Sequence, residues 1–71
     1  MIEYGTLKSW KADRGYGWIE PDFKNPNFSE IFVHRNQIIS GDPYQGARIS
    51  FIAKMHKTRA NLVADKATIL D

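Results

Sequence analysis

Tyr16 and Trp18, and again Phe32 and His34, stand two residues apart, the spacing that places side chains on one face of a β-strand. Between them Gly17 and Ile19, and Ile31 and Val33, fall on the opposite faces. Two aromatic faces and two aliphatic ones result. Lys8, Lys11, Arg14 and Arg35 lie close by in the sequence. Flat rings edged by cations suit one chemistry that requires no reactive group. Every nucleobase presents a π-face, stacking on an aromatic side chain contributes about 1–3 kcal/mol per base, and a basic rim neutralises phosphates and releases counterions. Such a surface tolerates many sequences, but it needs unpaired bases, because a duplex hides its base faces.

Other chemistries find little support. Catalysis requires a nucleophile with a positioned base, or a metal cluster, and the four serines and two histidines show no such grouping. His34 has no second histidine or carboxylate at ligand spacing. The absence of cysteine excludes disulfides and thiolate zinc sites. Gly15-Tyr16-Gly17 is not a dinucleotide loop, since Glu20 occupies the third glycine position and the segment reads as strand. The expectation is a binding protein, not an enzyme, with no cofactor, no metal and no small-molecule substrate.

The elements that must carry these side chains are short strands. Residues 4–11 alternate and end at the turn-prone Ala12-Asp13-Arg14-Gly15, and residues 16–20 follow as the second arm of a hairpin. Pro21 and Asp22 close that second strand, the segment from there to Ser29 reads as an irregular loop, and Glu30–His34 as a third strand. Asn36–Ile39 suits one turn of helix before the loop Ser40-Gly41-Asp42-Pro43. A fourth strand spans Ala47–Met55 and a fifth lies within Ala60–Leu70. Nowhere do apolar residues keep the i, i+3, i+4, i+7 spacing of a packed helix. The expected fold is all-β, a five-stranded antiparallel barrel whose closure removes exposed edges.

One small barrel has one interior, and Leu7, Ile19, Ile31, Val33, Ile49 and Phe51 suffice to fill it. Tyr16, Trp18, Phe32 and His34 are then left outside, joined by Lys8 and Trp10 if no bulge interrupts the first strand. An outward patch of rings in a monomer usually marks a binding surface. From alternation and composition alone two other arrangements stay open: the rings as core with the aliphatics facing a second protomer, or the rings as a homodimer patch. Trp10 by itself also suits a barrel plug.

Seventy-one residues make one domain, spanning 1–71. A net charge of +2 is weak evidence for a nucleic-acid partner; the grouping of Lys8, Lys11 and Arg14, and of Lys54, His56, Lys57 and Arg59, says more. The N-terminus has neither the basic start nor the apolar run of a secretory signal. No segment approaches the roughly 18 apolar residues of a membrane span. A soluble, cytoplasmic monomer without membrane contact is expected.

These same residues resemble the bacterial cold-shock proteins and the related cold-shock domain. That family's first motif, approximately Lys-Gly-Phe-Gly-Phe-Ile, is matched by Arg14-Gly15-Tyr16-Gly17-Trp18-Ile19, and its second, roughly Val-Phe-Val-His-Phe, by Ile31-Phe32-Val33-His34-Arg35. Gly5-Thr6-Leu7-Lys8, Ala12-Asp13, Pro21-Asp22, Gly46 and Ile49-Ser50-Phe51 continue the likeness, which loosens after about residue 55. The resemblance implies an oligonucleotide-binding (OB) fold that binds single-stranded RNA or DNA and acts as a chaperone, keeping RNA unstructured. It places stacking side chains at Trp10, Tyr16, Trp18, Phe32 and His34, with phosphate-contacting basics at Lys8 and Arg14. Two positions depart: Ser9 stands where the family has an exposed tryptophan, and Arg35 where it has an aromatic. A guanidinium can stack and pair with phosphate, whereas Ser9 offers no surface, so affinity below that of a fully aromatic relative is expected. An RNA-recognition-motif domain shares the Arg-Gly-aromatic-Gly-aromatic signature but requires two amphipathic helices that this chain lacks. A barrel whose aromatic groove takes a Pro-rich peptide remains the alternative from another class.

Overall fold

The computed structural model describes residues 2–23, 29–56 and 62–70. Its strands are β1 (Glu3–Lys11), β2 (Tyr16–Pro21), β3 (Ile31–His34), β4 (Ile38–Ser40), β5 (Arg48–Met55) and β6 (Leu62–Leu70), with a 3-10 turn at Arg35–Gln37. They form one sheet in the order β3-β2-β1-β5-β6-β4, closed by a further pairing of β3 with β6. β1, β2, β3, β5 and β6 make a five-stranded barrel, and the three-residue β4 runs parallel to β6 beside it. The helical turn expected over Asn36–Ile39 is found at Arg35–Gln37, and Ile38 and Ile39 belong instead to β4. Of the second basic group, Lys57 and Arg59 lie outside the described residues.

The sequence suggested an antiparallel barrel, and four of its five seams are antiparallel. The closing seam, Phe32 opposite Val63, is parallel. Geometry demands this, because directions cannot alternate all the way round a ring with an odd number of strands.

β1 and β2 are joined by a tight turn in which the N–H groups of Arg14 and Gly15 donate to the Lys11 carbonyl. Gly15 takes φ 74°, a left-handed conformation open to glycine without a Cβ penalty. The six aliphatic and aromatic residues expected inside are sealed from solvent: Leu7, Ile19, Ile31, Val33, Ile49 and Phe51 are each at most 1% exposed. Ala47, Ala64, Ala67 and Ile69 complete this core.

Two bulges shape the barrel. In β1, Leu7 opposes Ile19 but Ser9 opposes Trp18, so Lys8 is the extra residue. In β6, Thr68 opposes Ser50 but Asp65 opposes Ile52, and Lys66 within this bulge adopts φ 49°. An extra residue bends its strand, and it reverses which face every later side chain occupies.

Candidate nucleic-acid interface

Register across the three neighbouring strands sorts the side chains into rows. Ser9 of β1, Trp18 of β2 and Phe32 of β3 lie directly opposite one another, and Lys11, Tyr16 and His34 form the next row. Both rows face outward. Trp18, Tyr16 and Phe32 are half-buried and His34 is exposed, while Ile19, Ile31 and Val33 between them face the core. This excludes one alternative left open by alternation, the rings as core: the aliphatics are the interior and the rings are the surface.

The rings hold one another. Phe32 stacks on Tyr16, with centroids 5.6 Å apart and planes at 29°, and meets Trp18 edge-on at 5.2 Å and 71°. Phe32 is thus shared by both rows. Offset and edge-to-face contacts of this kind each contribute about 0.5–1.5 kcal/mol beyond simple burial. The rings are therefore held in place before any ligand arrives, which lowers the ordering cost of binding. His34 is set differently. Its Nδ1 accepts from the Asn36 N–H at 3.2 Å, capping the 3-10 turn. A neutral ring so bonded carries its proton on Nε2.

The bulge at Lys8 corrects the expectation for β1. Strict alternation would put Lys8 and Trp10 with the outer rings, but past the extra residue Ser9 and Lys11 take the outer positions and Trp10 turns the other way. Trp10 pairs with Gly17 and packs against the core cluster. A Cβ at residue 17 would clash with the Ser9 carbonyl and sit 2.8 Å from Trp10 Cε3, so glycine there makes room for the indole. Trp10 is half-buried and acts as the plug that its residue type also suited.

The basic side chains are near the rings, and two already have partners. Lys8 Nζ donates to Glu30 Oε2 at 2.7 Å, and this hydrogen bond and charge pairing raise the Lys8 pKa above its ordinary value. Arg35 Nη2 donates to the Ala12 carbonyl at 2.6 Å, and the Arg35 N–H donates to the Gly15 carbonyl at 2.7 Å. Where the cold-shock family has a ring, this chain ties β3 to the β1–β2 turn. Lys11 and Arg14 are exposed on that turn's approach. On the other side of β1, Arg48 forms a forked pair with Asp22 and also reaches Thr6, so those charges stabilise the sheet away from the rings. Among the described residues no group of three or more His, Cys, Asp or Glu converges to hold a metal ion. Sequence reasoning missed Glu30 as a partner of Lys8, a contact that spans 22 residues.

A closed five-stranded barrel of this topology defines the OB-fold, in its cold-shock-domain form. In the solved structure of the cold-shock domains of Drosophila Unr (CSD456), the likeness covers 100% of this chain at a TM-score of 0.76 and 20% sequence identity. The chain spans 27% of the length of that neighbour. The neighbour bears out the cold-shock-domain fold, and it is an insect protein rather than a bacterial one. No protein-family model matches the sequence, and no curated protein matches it.

Lys8 and Glu30 are both substantially exposed, at 55% and 42% of their side chains. Such an exposed pair contributes little stability, and an anion approaching the Lys8 ammonium would have to displace Glu30 from it. Glu30→Gln is expected to tighten binding of a single-stranded oligonucleotide about twofold to threefold at low salt. It should also steepen the salt dependence by about one phosphate contact. Titrations at several salt concentrations check this, and an unchanged slope would show that Lys8 does not reach phosphate.

Proposed function

We propose that this chain binds single-stranded RNA or DNA on the outer face of β1, β2 and β3, and that it keeps RNA unstructured as a chaperone or a regulator of transcription or translation. One observation carries the reading: Tyr16, Trp18, Phe32 and His34 are on the surface of a barrel whose interior is filled without them. Tyr16, Trp18 and Phe32 supply preset stacking faces and His34 a smaller one. Lys8, Lys11, Arg14 and Arg35 supply charge beside them. The proposed activity is binding without catalysis or cofactor, by a cytoplasmic monomer. The name of the structural neighbour, a set of cold-shock domains, agrees with a nucleic-acid partner.

Fluorescence titration with a short single-stranded oligonucleotide tests this. Trp18 lies in the stacking face and should be quenched by bound bases. If three or four phosphates are engaged, log K should fall against log salt with a slope of about −2 to −3, and the duplex of the same sequence should bind far more weakly. Binding that ignores salt and favours a Pro-rich peptide would replace the nucleic-acid reading with the peptide groove.

A further inference from the structure

Beyond Phe32, on the side away from Trp18, a cavity of about 430 Å³ opens where β3 meets β5 and β6. That volume lies within the roughly 300–1,000 Å³ of small-molecule sites. Phe32, Met55, Val63 and Ala64 give it apolar walls, and Gln37, Lys54 and Asp65 are among its polar lining. Because Val63 stands directly opposite Phe32, the row Ser9–Trp18–Phe32 leads straight into it.

The polar lining has a defined arrangement. Lys54 Nζ donates to Asp65 Oδ2 at 2.7 Å, and the Lys66 N–H donates to Asp65 Oδ1 at 3.0 Å. The Asp65 side chain is only 22% exposed, against 57% for Lys54. Hydrogen bonding and charge from Lys54 hold the Asp65 carboxyl below the usual carboxylate range, so it is an anion that only accepts. A carboxylate offers about four lone-pair sites, and these two bonds leave one on each oxygen. Beside them stands an ammonium with N–H groups to spare. Of the four bases, guanine alone carries two adjacent N–H donors, N1 and the N2 amine, followed by an acceptor, O6. Adenine, cytosine and uracil each offer at most one N–H site on that edge flanked by acceptors, which leaves one Asp65 oxygen facing another lone pair.

We infer that this cavity receives one unpaired base from the strand that crosses the rings, and that the Asp65–Lys54 pair selects guanine there. The inference rests on the single-strand reading above. Stacking on Phe32 supplies the sequence-tolerant part of the contact and the forked carboxylate contact supplies discrimination, as paired hydrogen bonds do in nucleic-acid readout generally.

The test uses the intact chain and heptanucleotides of uridine in which guanine replaces one base at each position in turn. One position is expected to gain about 10-fold in affinity over the all-uridine strand, consistent with one bidentate contact. Inosine, which lacks the N2 amine, should recover only part of that gain. Asp65→Asn should abolish the gain while all-uridine binding stays within about twofold. Guanine no better than uracil at any position, with the all-uridine strand still bound, would overturn the guanine pocket and leave the single-strand reading standing. Failure of every strand to bind would overturn both. A measurement on the unaltered chain guards against a folding defect in the variant: the Met55 and Val63 methyl resonances should shift more with the guanine strand than with the all-uridine strand, and equal shifts would sink the inference.

Discussion

Phe32→Ala is expected to weaken single-strand binding by roughly 10- to 150-fold, more than any other single truncation on this face. One lost stacking surface is worth about 1–3 kcal/mol, and Phe32 is also the ring against which Tyr16 and Trp18 are set. Removing it frees both neighbours, so the remaining stack must be ordered again at each binding event. The variant should still fold, because Leu7, Ile19, Ile31, Val33, Ile49 and Phe51 fill the interior independently of it. Stability should nonetheless fall by about 1–2 kcal/mol, because a half-buried ring loses its apolar burial. Titration and thermal unfolding read the two effects separately. Phe32→Leu then discriminates between causes: it keeps apolar bulk but has no π-face, so it should recover much of the stability and little of the affinity. Affinity restored by leucine would mean that Phe32 acts by packing, not by stacking.

The central strands were legible because nothing interrupts their alternation. Along β2 and β3 every residue from Tyr16 to Ile19 meets one partner from His34 to Ile31, and a two-residue period read from the chain survives into the fold. The core followed for the same reason. Leu7 precedes the bulge in β1, and Ile49 and Phe51 belong to an unbroken alternation in β5, so each faces where parity puts it. β1 beyond Leu7 was not legible. The extra residue is a lysine, which carries no bulge signature, and the face of Trp10 depends on that one insertion. β6 failed likewise: its buried positions Ala64, Ala67 and Ile69 are spaced three and then two, and the left-handed residue that allows this is Lys66 rather than a glycine. Charge partners were hidden by distance along the chain. Lys8 with Glu30, and Arg35 with the Ala12 carbonyl, join residues 22 and 23 apart, and only the side-by-side pairing of β1, β2 and β3 brings them together. The cavity beside Phe32 was hidden in the same way, drawing on β3, β5 and β6 at once.

Ser9→Trp should strengthen binding by about 5- to 50-fold, and the bulge at Lys8 is what makes the prediction specific. Without the bulge, Ser9 would face the core and a tryptophan there would disrupt the barrel by overpacking. With it, Ser9 is half-exposed directly opposite Trp18, at the open end of the row that continues through Phe32. An indole at this position therefore adds a third ring to that row without displacing Trp10, which fills the space over Gly17 on the opposite face. One further stacked base contributes about 1–3 kcal/mol, less whatever is lost in ordering the new side chain, which sets the upper figure below the full range. The gain should appear only with strands long enough to cover one more base and should leave the salt slope unchanged, since no charge is added. Equal affinity of both proteins for long strands would mean that the bound strand does not cross β1 at this row. A loss of thermal stability of several degrees on Ser9→Trp would instead place residue 9 inside, and would overturn the register from which the whole outer face is drawn.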